Sequence, residues 1–593
     1  MDFHRGDAMD SEHRSARGRQ LIVCCDGTSN TLTGRQHDTN VLKTVELLDP
    51  DRNSQKLYYD PGVGAADQMP TTTNWDAFTR HLNRIQGLVS GKGIYENIAG
   101  AYQFIVENFT DGDQLYLFGF SRGAFTVRSV SGLINLFGII RPEHISLIPT
   151  MINVYFSYRE PIPGIFDKRK EVANQIRDRF TNLQGRYAKI HFIGVWDTVE
   201  SVGFPLLQTT ITSDGMAKTK PQLTHIRHAL ALDEHRFAFR PRLYWDDNYD
   251  ENGRSLKQFW FRGAHCDLGG GYEQDDECRL SDDAFWWMMQ EAEQAGLRFN
   301  APVPRQPWPV TEDTRCLLVH NECRSNPWWA VTGMMIRNLR PPKDAFWERG
   351  VNVGKRSAES ELHKPRRADV ASNQKHVALK RPGARQWEGL LVACSVAVLM
   401  YLVVCWLSES AFTGTWRNLS SGLLTTDLAA LAEAGRMFAA WQWRAHVTAP
   451  ALPDGFSVYY AMWAVIWDFA FIAAYSYVLG FFAAWAFSRL AGLHDVSKRG
   501  PRYLRVAGWV PCVAVFADIV ENCTTLTMLA FAAIDWTLFV QLTATFVSAA
   551  STLKFTMLAA SIGMITAGLL PLKADRTRAI DMPPPDAVLP GRS

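Results

Sequence analysis

The sequence predicts an α/β protein with a mainly parallel sheet flanked by helices, followed by a helical bundle that crosses a membrane. Three observations support this class. In the first 350 or so residues, short apolar runs that end in polar or glycine-rich turns alternate with helical stretches. A serine flanked by glycines lies between one such run and a helix. From about residue 386 to residue 571, long apolar runs carry almost no charge.

Composition narrows the function classes. The 593 residues carry a formal net charge of +2, so we expect no nucleic-acid partner. The ten cysteines have neither a metal-ligand spacing nor the pattern of a disulfide framework, so we expect a reducing compartment for the first half of the chain. We also expect no metal and no cofactor. We interpret Cys24 and Cys25, in an apolar run, as buried thiols.

The patterns divide the chain into five parts. A polar tail (1–19), which lacks the apolar segment of a signal peptide, precedes an α/β domain (20–350). A linker rich in basic residues (351–386) leads to a transmembrane domain (387–572) and a short tail (573–593).

Four runs within the α/β domain are predicted as strands: Gln20–Cys25, Leu115–Phe118, Lys189–Trp196 and Gln258–Arg262. Helices are predicted at 93–108 and 127–136, and a loop is predicted at 58–64. Each strand ends in a polar or glycine-rich cluster. Because ligands of parallel sheets bind beyond the carboxyl ends of the strands, we expect these clusters to form the functional site.

The most informative cluster is Gly119-Phe-Ser-Arg-Gly-Ala-Phe125, which joins a predicted strand to a predicted helix. Strand, Gly-x-Ser-x-Gly and helix are the parts of a nucleophile elbow. Ser121 is therefore the predicted nucleophile, and Gly119 and Gly123 would leave room for the sharp turn. The alternative is a plain tight turn.

A serine nucleophile needs a base, usually a histidine that a carboxylate orients. Asp197 and His265 follow Ser121 in the order Ser, Asp, His that α/β-hydrolases share, and each lies at a predicted strand end. Asp197 could instead cap a helix, and His265 could cap a turn. Asp267 is the rival orienting residue, although we expect it to bind the backbone of Gly269–Gly271.

An oxyanion hole needs two backbone N–H donors. Arg122, which follows the nucleophile, should supply one, and the loop of Gly27 and Thr28 should supply the other. The neighbouring Asp26 could instead bind a metal together with Asp197 or Asp267. Because the serine elbow favours a serine nucleophile, we rank the metal site second.

Several motifs together resemble the α/β-hydrolase domain of an uncharacterised-domain family that includes type VI secretion phospholipase effectors. The resembling segments run in family order through residues 20 to 350: Cys25–Asn30, Thr39–Val41, Gly62–Gly64, Gly112–Phe125, Gly194–Val199, Ala231–Arg236 and Gly263–Tyr272. The resemblance implies an α/β-hydrolase-like fold and a Ser121-Asp197-His265 lipid esterase that releases fatty acid from glycerophospholipids. It does not fix the substrate. We find no role for Ala231–Arg236 beyond ion pairing.

Four apolar segments are predicted to span a membrane, at about 390–407, 458–487, 506–534 and 536–572. Any one of them could be a buried core helix, but four in succession favour spans. Asp518 and Glu521 lie one helical turn apart, and Lys554 in the last span is their expected partner. We favour an ion-paired structural lock over a transport or proton path.

Basic residues are concentrated in the linker, in the loop 489–505 and in the tail, and they are sparse in 408–457. Positively charged loops stay in the cytoplasm. We therefore expect a multi-pass protein of the bacterial inner membrane whose catalytic domain and termini face the cytoplasm. Residues 423–443 could form an interfacial helix on the opposite side.

The favoured function is a membrane-anchored serine esterase acting on a phospholipid or another lipid ester. The apolar run Pro327–Met335 could seat acyl chains or the bilayer surface, or it could be a buried helix. One alternative is a membrane sensor or scaffold whose head binds a ligand without turnover. Another is a toxin delivered to a target cell, with secretion machinery and an immunity protein as partners.

Overall fold

A computed structural model of the chain describes residues 18–27, 38–48, 54–62, 92–156, 165–182, 185, 187–199, 223–244, 254–261, 263–272, 280–304, 318–337, 378–379, 384–413, 458–492, 502–533 and 537–569. The chain divides into two compact units. The first, here called the sheet unit, is Met1–Glu322, Met335–Arg381 and Val496–Arg499. The second, here called the helical unit, is Cys323–Met334, Pro382–Asp495 and Gly500–Ser593.

The sheet unit contains a six-stranded sheet in which every neighbouring pair is parallel. Its strands are β1 (Gln20–Cys25), β2 (Gln55–Asp60), β3 (Gln114–Phe120), β4 (Ile190–Trp196), β5 (Leu223–Ala231) and β6 (Ser255–Phe261). Their spatial order is β2-β1-β3-β4-β5-β6. The predicted parallel sheet is thus confirmed. A separate two-stranded parallel sheet pairs β7 (Leu318–Val319) with β8 (Ala378–Leu379).

Both faces of the six-stranded sheet are apolar, so helices cover both. The helices are α1 (Asn40–Leu47), α2 (Lys92–Asn108), α3 (Arg122–Phe137), α4 (Ile148–Phe156), α5 (Ile165–Phe180), α6 (His265–Gly269) and α7 (Leu280–Gln294), with short 3-10 turns at Pro142–Leu147 and Phe237–Phe239. Helices α2 to α5 pack on the face formed by Leu115 and Leu117. Helices α1, α6 and α7 pack on the opposite face, with Tyr116 and Phe118. This alternation along β3 produces a three-layer arrangement.

The order of the strands reverses between β1 and β3. The chain moves from β1 outward to β2 and then crosses back to place β3 on the other side of β1. Loops that leave the carboxyl ends of two such strands diverge and leave a crevice, which is where ligands bind in open parallel sheets. The loop after β1 begins at Asp26, and the loop after β3 contains Ser121.

Two strands differ from the prediction. Residues 58–60, predicted as loop, form the end of β2. The strand ends at Pro61-Gly62 and not, as predicted, before Tyr58. Strand β5 was not predicted because His225, Arg227 and His228 interrupt its apolar pattern.

The helical unit contains four long helices that match the four predicted spans: α10 (Ala384–Thr413), α11 (Val458–Gly492), α13 (Val510–Ala533) and α14 (Thr537–Leu569). Each includes a segment long and apolar enough to cross a membrane, namely Gln386–Leu407, Val458–Leu490, Val510–Ala530 and Ala549–Ala567. The short helices α8 (Glu322–Ser325), α9 (Trp328–Val331) and α12 (Arg502–Ala507) are also described. The third span begins later than predicted because Gly508 and Trp509 form a turn, and Pro511 lies in the first turn of α13.

Lys554 contacts both carboxylates that the sequence predicted as its partners. Its Nζ lies 3.1 Å from Asp518 Oδ1 and also pairs with Glu521. Tyr475 on α11 donates its hydroxyl to Asp518 at 2.5 Å. The cluster therefore joins α11, α13 and α14 through buried polar contacts.

Some predictions lie outside the described residues. They are the tails 1–17 and 570–593, most of the linker 351–386, and the interfacial helix 423–443. The boundary between the α/β domain and the linker stays a prediction for the same reason.

Candidate active site

Ser121 occupies the turn between β3 and α3, with φ 57° and ψ −119°. Its backbone N–H donates to the carbonyl of Trp196 at 3.0 Å, which ties the turn to the end of β4. A side chain at positive φ is strained, and such strain persists where the surrounding structure imposes it. The serine thus has the conformation predicted for a nucleophile elbow.

The two glycines of the turn are required by close backbone contacts. A Cβ atom on Gly123 would lie 2.0 Å from the carbonyl oxygen of Cys25, and a Cβ on Gly119 would lie 2.6 Å from the carbonyl oxygen of Gly123. Helix α3 therefore begins directly against the end of β1. This packing brings the Ser121 turn to the crevice where the strand order reverses.

Asp197 follows β4 and is fully buried. Its φ is 42°, and its N–H donates to the carbonyl of Ala229 at 2.8 Å. Within the described ranges, Ser121 and Asp197 are the two residues other than glycine that have positive φ. Both predicted site residues are thus held in strained backbone at neighbouring strand ends.

His265 is the first residue of α6 and is 3% exposed. Its Nδ1 lies 2.6 Å from Asp197 Oδ2, a short hydrogen bond that fixes Nδ1 as the protonated nitrogen. The ring lies between Phe120 and Phe239, at centroid distances of 4.7 and 4.9 Å. Among the described residues, the buried Nε2 has no hydrogen-bond partner, so it is available as an acceptor.

The predicted Asp197–His265 pairing is present, and its setting favours an ionised carboxylate and a neutral ring. Burial by itself would raise the pKa of Asp197, but the Arg337 guanidinium and the His265 hydrogen bond outweigh burial and hold this pKa below its usual range. Burial lowers the pKa of His265, and the bond to Asp197 offsets this only in part. A neutral imidazole at pH 7 can accept a proton.

Arg337, which was not predicted from the sequence, contacts the predicted site residue Asp197. Its Nη1 lies 2.5 Å from Asp197 Oδ1 and its Nη2 lies 3.0 Å from Oδ2, so the ion pair is bidentate. Further bonds run from the guanidinium to the carbonyls of Ala231, at 2.7 Å, and Phe239. No sequence signal marks this arginine, because it lies 140 residues from its partner and outside any motif.

The Ala231–Arg236 motif has a structural role that the sequence did not reveal. Glu234 accepts hydrogen bonds from the Arg236 side chain at 2.9 and 2.7 Å and from the backbone N–H of His265 at 3.2 Å. Burial would raise the pKa of Glu234, but Arg236 outweighs it and lowers this pKa to about 2. The motif therefore supplies an ionised carboxylate that anchors the first residue of α6.

Asp267 does not take either of its expected roles. Its carboxylate accepts the N–H of Ala264 at 2.8 Å, the N–H of His320 at 2.9 Å and a 2.6 Å bond from the His320 ring, rather than the N–H groups of Gly269–Gly271. As the third residue of α6, it caps that helix from inside its first turn. It therefore helps to hold the His265 helix but does not contact the His265 side chain.

The loop after β1 is only partly described, and Thr28 lies outside the described residues. Gly27 donates its N–H to Asp26 Oδ1 at 2.6 Å, and Asp26 Oδ2 accepts from Thr39 and from Tyr59. Arg122 opens α3 immediately after Ser121, as an oxyanion donor should. Over the part of the chain that the structure describes, no three His, Cys, Asp or Glu side chains form a group able to hold a metal ion.

Fold and site together define a parallel α/β protein with a strained serine turn beside a buried Asp–His pair. Residues 19–291 match the family model described as "T6SS, Phospholipase effector Tle1-like, catalytic domain". The family suspected from the motifs is thus the one whose model the sheet unit matches.

Two further similarities concern uncharacterised proteins. The "Uncharacterized protein YEL023C" of Saccharomyces cerevisiae is 30% identical over 239 residues, which are 39% of this chain and 33% of that protein. The chain therefore spans about a third of the length of this relative. A solved structure, "Crystal structure of an uncharacterized protein from Pseudomonas aeruginosa", is 15% identical with a TM-score of 0.30, covering 86% of this chain and 69% of that one.

Proposed function

We propose that the chain is a membrane-anchored serine hydrolase that cleaves carboxylic ester bonds of phospholipids, as a phospholipase A does. The observation that carries the proposal is the 2.6 Å bond between His265 and Asp197 beside the strained turn of Ser121. The matching family is described as phospholipase effectors, which points to a lipid substrate class. We assign the sheet unit to the α/β-hydrolase type because its serine turn links a central parallel strand to a helix.

In the proposed first half-reaction, Ser121 Oγ attacks the ester carbonyl carbon while His265 Nε2 takes the hydroxyl proton. A C–O bond forms, and the carbonyl oxygen becomes an oxyanion. When the tetrahedral intermediate collapses, the bond to the leaving alcohol breaks and His265 returns the proton to that alcohol. The buried, unpartnered Nε2 is the atom this role needs.

In the second half-reaction, water attacks the acyl-enzyme while His265 accepts a proton from it, and fatty acid leaves as Ser121 regains its hydrogen. Asp197 keeps the ring in the tautomer with a free Nε2 and stabilises the imidazolium that forms in each step. We assign the oxyanion donors to the N–H of Arg122 and to the Gly27–Thr28 loop. Because Gly27 donates to Asp26 in the structure, its use would require that bond to be replaced.

The four apolar helices support an anchoring role, which would keep the enzyme at a high local concentration relative to its substrate. From the distribution of basic residues we place the sheet unit on the cytoplasmic side of a bacterial inner membrane. The family description extends the proposal to delivery into a target cell, with secretion machinery and an immunity protein as partners.

The test is fatty-acid release from mixed phospholipid vesicles by the detergent-purified full chain, alongside Ser121→Ala and His265→Ala. We expect each variant to lose at least ~1000-fold in rate. Ser146→Ala, an exposed serine of a 3-10 turn, is the matched control and should keep the wild-type rate.

Each other outcome has a distinct meaning. If a fluorophosphonate probe labels Ser121 but no lipid is hydrolysed, the nucleophile is correct and the substrate class is wrong. If the probe labels wild type and Ser121→Ala alike, the hydrolase proposal fails. The sheet unit is then better interpreted as the ligand-binding head of a sensor or scaffold.

A further inference from the structure

The segment from His320 to Arg337 belongs to both compact units. The chain leaves the sheet unit after Glu322, contributes Cys323–Met334 to the helical unit and returns to the sheet unit at Met335. The middle and the two ends of this segment therefore have different partners. We call Cys323–Met334 the inserted segment.

Within the helical unit, the inserted segment packs against backbone at two glycines. A Cβ on Gly480 of α11 would lie 2.2 Å from the carbonyl oxygen of Pro327. A Cβ on Gly508 would lie 2.0 Å from the carbonyl oxygen of Met334, whose N–H donates to the Gly508 carbonyl at 2.8 Å. Because glycine has no side chain, the inserted segment can approach the backbone at both positions. Its position is therefore fixed by backbone contacts rather than by adaptable side chains.

Within the sheet unit, the residues before the inserted segment contact the loop and helix that carry His265. His320 bonds to Asp267 of α6, and Glu322 accepts the hydroxyl of Tyr272. These contacts hold the chain just before it enters the helical unit.

The residues after the inserted segment contact the other half of the site. Met335 donates its N–H to the carbonyl of His235 at 2.8 Å, and its own carbonyl bonds to the His235 ring at 3.1 Å. Two residues later, Arg337 forms its bidentate pair with Asp197. Met335 and Arg337 are therefore both held by contacts within the sheet unit.

We propose that Arg337 is a positioning residue for the Asp197–His265 pair. This inference rests on the proposed function of Ser121. Arg337 contacts both carboxylate oxygens of Asp197, and Oδ2 also bonds to Nδ1 of His265.

The electrostatic consequence can be measured. Asp197 is fully buried, so its negative charge is balanced by Arg337 rather than by water. Without the guanidinium, that charge is no longer opposed by Arg337, so it favours the imidazolium of His265, on which the charges of Arg236 and Glu234 also act. The pH at which the ring becomes an effective base should therefore rise.

The experiment measures the rate of fluorophosphonate labelling of Ser121 as a function of pH, in the detergent-purified full chain. We expect Arg337→Gln to lose ~100-fold at pH 7, since small misplacements of catalytic groups cost this much, and to shift the pH midpoint upward. Arg337→Lys should recover part of the rate and most of the shift. In a double-mutant cycle, Asp197→Asn with Arg337→Gln should label no more slowly than Asp197→Asn alone, because Arg337 acts through that carboxylate.

The outcomes separate the two proposals. Unchanged rate and pH profile in Arg337→Gln, with Ser121→Ala unlabelled, would overturn the positioning role and leave the hydrolase proposal standing. If wild type is not labelled, the hydrolase proposal fails and the positioning role fails with it.

Discussion

Gly123→Ala adds one methyl group at the point where α3 begins against β1. The new Cβ would lie 2.0 Å from the Cys25 carbonyl oxygen and 2.5 Å from that of Asp26. Ordinary contact begins at 3.4 Å, so the two backbone segments must separate by about 1.4 Å. Both obstructing atoms belong to the end of a central strand and cannot rotate away.

Two effects follow from this separation. Overpacking of a tight core contact costs ~1–3 kcal/mol of stability. A displacement of an ångström or more at the nucleophile lowers the rate of acylation ~100-fold. The loss of rate should therefore exceed what the loss of folded protein explains.

The assay is the time course of fluorophosphonate labelling, corrected for the folded fraction from thermal unfolding followed by circular dichroism. Gly100→Ala is the matched control in the same unit, because its Cβ would meet only the far end of Tyr58, at 2.7 Å from the hydroxyl oxygen. If Gly123→Ala labels as fast as Gly100→Ala and unfolds at the same temperature, the close contact with β1 does not position the nucleophile.

Three other predictions concern charge. Because burial lowers the pKa of His265, the rate of fluorophosphonate labelling should stay level from pH 8 down to about 6.5 and fall only below that pH. A labelling rate that already declines at pH 7.5 would contradict a neutral His265 ring at pH 7. Glu234, with a folded-state pKa of about 2 against 4.5 for the unfolded chain, contributes stability that is complete above pH 4.5 and is lost as the pH falls toward 2. Glu234→Gln should therefore reduce stability at pH 7 far more than at pH 3, as measured by urea unfolding at both pH values. Lys554→Met leaves Asp518 and Glu521 without their cation, and should destabilise the helical unit of the detergent-solubilised chain by ~3–5 kcal/mol. Adding Asp518→Asn should restore part of the lost stability. If no stability is recovered, the ion-paired structural lock is contradicted.

The features predicted correctly from the sequence are those that a few adjacent residues determine. Strand β1 begins and ends at the predicted residues because an uninterrupted apolar run stops at Asp26. The Ser121 turn could be recognised because its glycines and its flanking strand and helix are contiguous. Asp197 and His265 could be proposed as partners because Asp197 directly follows β4 and His265 lies in the loop after β6, and parallel sheets gather functional groups at such strand ends.

The features that were missed depend on distant partners. Strand β5 carries Arg227 and His228, which look like surface residues in the sequence. In the structure, Arg227 pairs with Glu291 at 2.6 Å, and His228 bonds to Gln258 at 3.1 Å. Burial of such groups is acceptable only when those partners are present, and local periodicity does not contain them.

Arg337 was missed for a related reason. Its identity as a site residue is set by the fold of the 140 residues between it and Asp197. The neighbouring run Pro327–Met335 attracted attention for its aromatic content, and it is assigned to the helical unit apart from Met335. Apolar character thus drew attention to Pro327–Met335, but it gave no indication of Arg337, two residues further on.

The inserted segment also bears on the order in which the chain is made. Ser121, Asp197 and His265 are synthesised before Arg337, and Arg337 before Gly480 and Gly508, the glycines that the inserted segment packs against. At ~5–20 residues per second, the interval from Arg337 to Gly508 is roughly ten to thirty seconds. A nascent chain therefore holds all three proposed reacting groups and Arg337 before it has the glycines that the inserted segment packs against. The inserted segment can reach its packed position only after Gly508 has been synthesised.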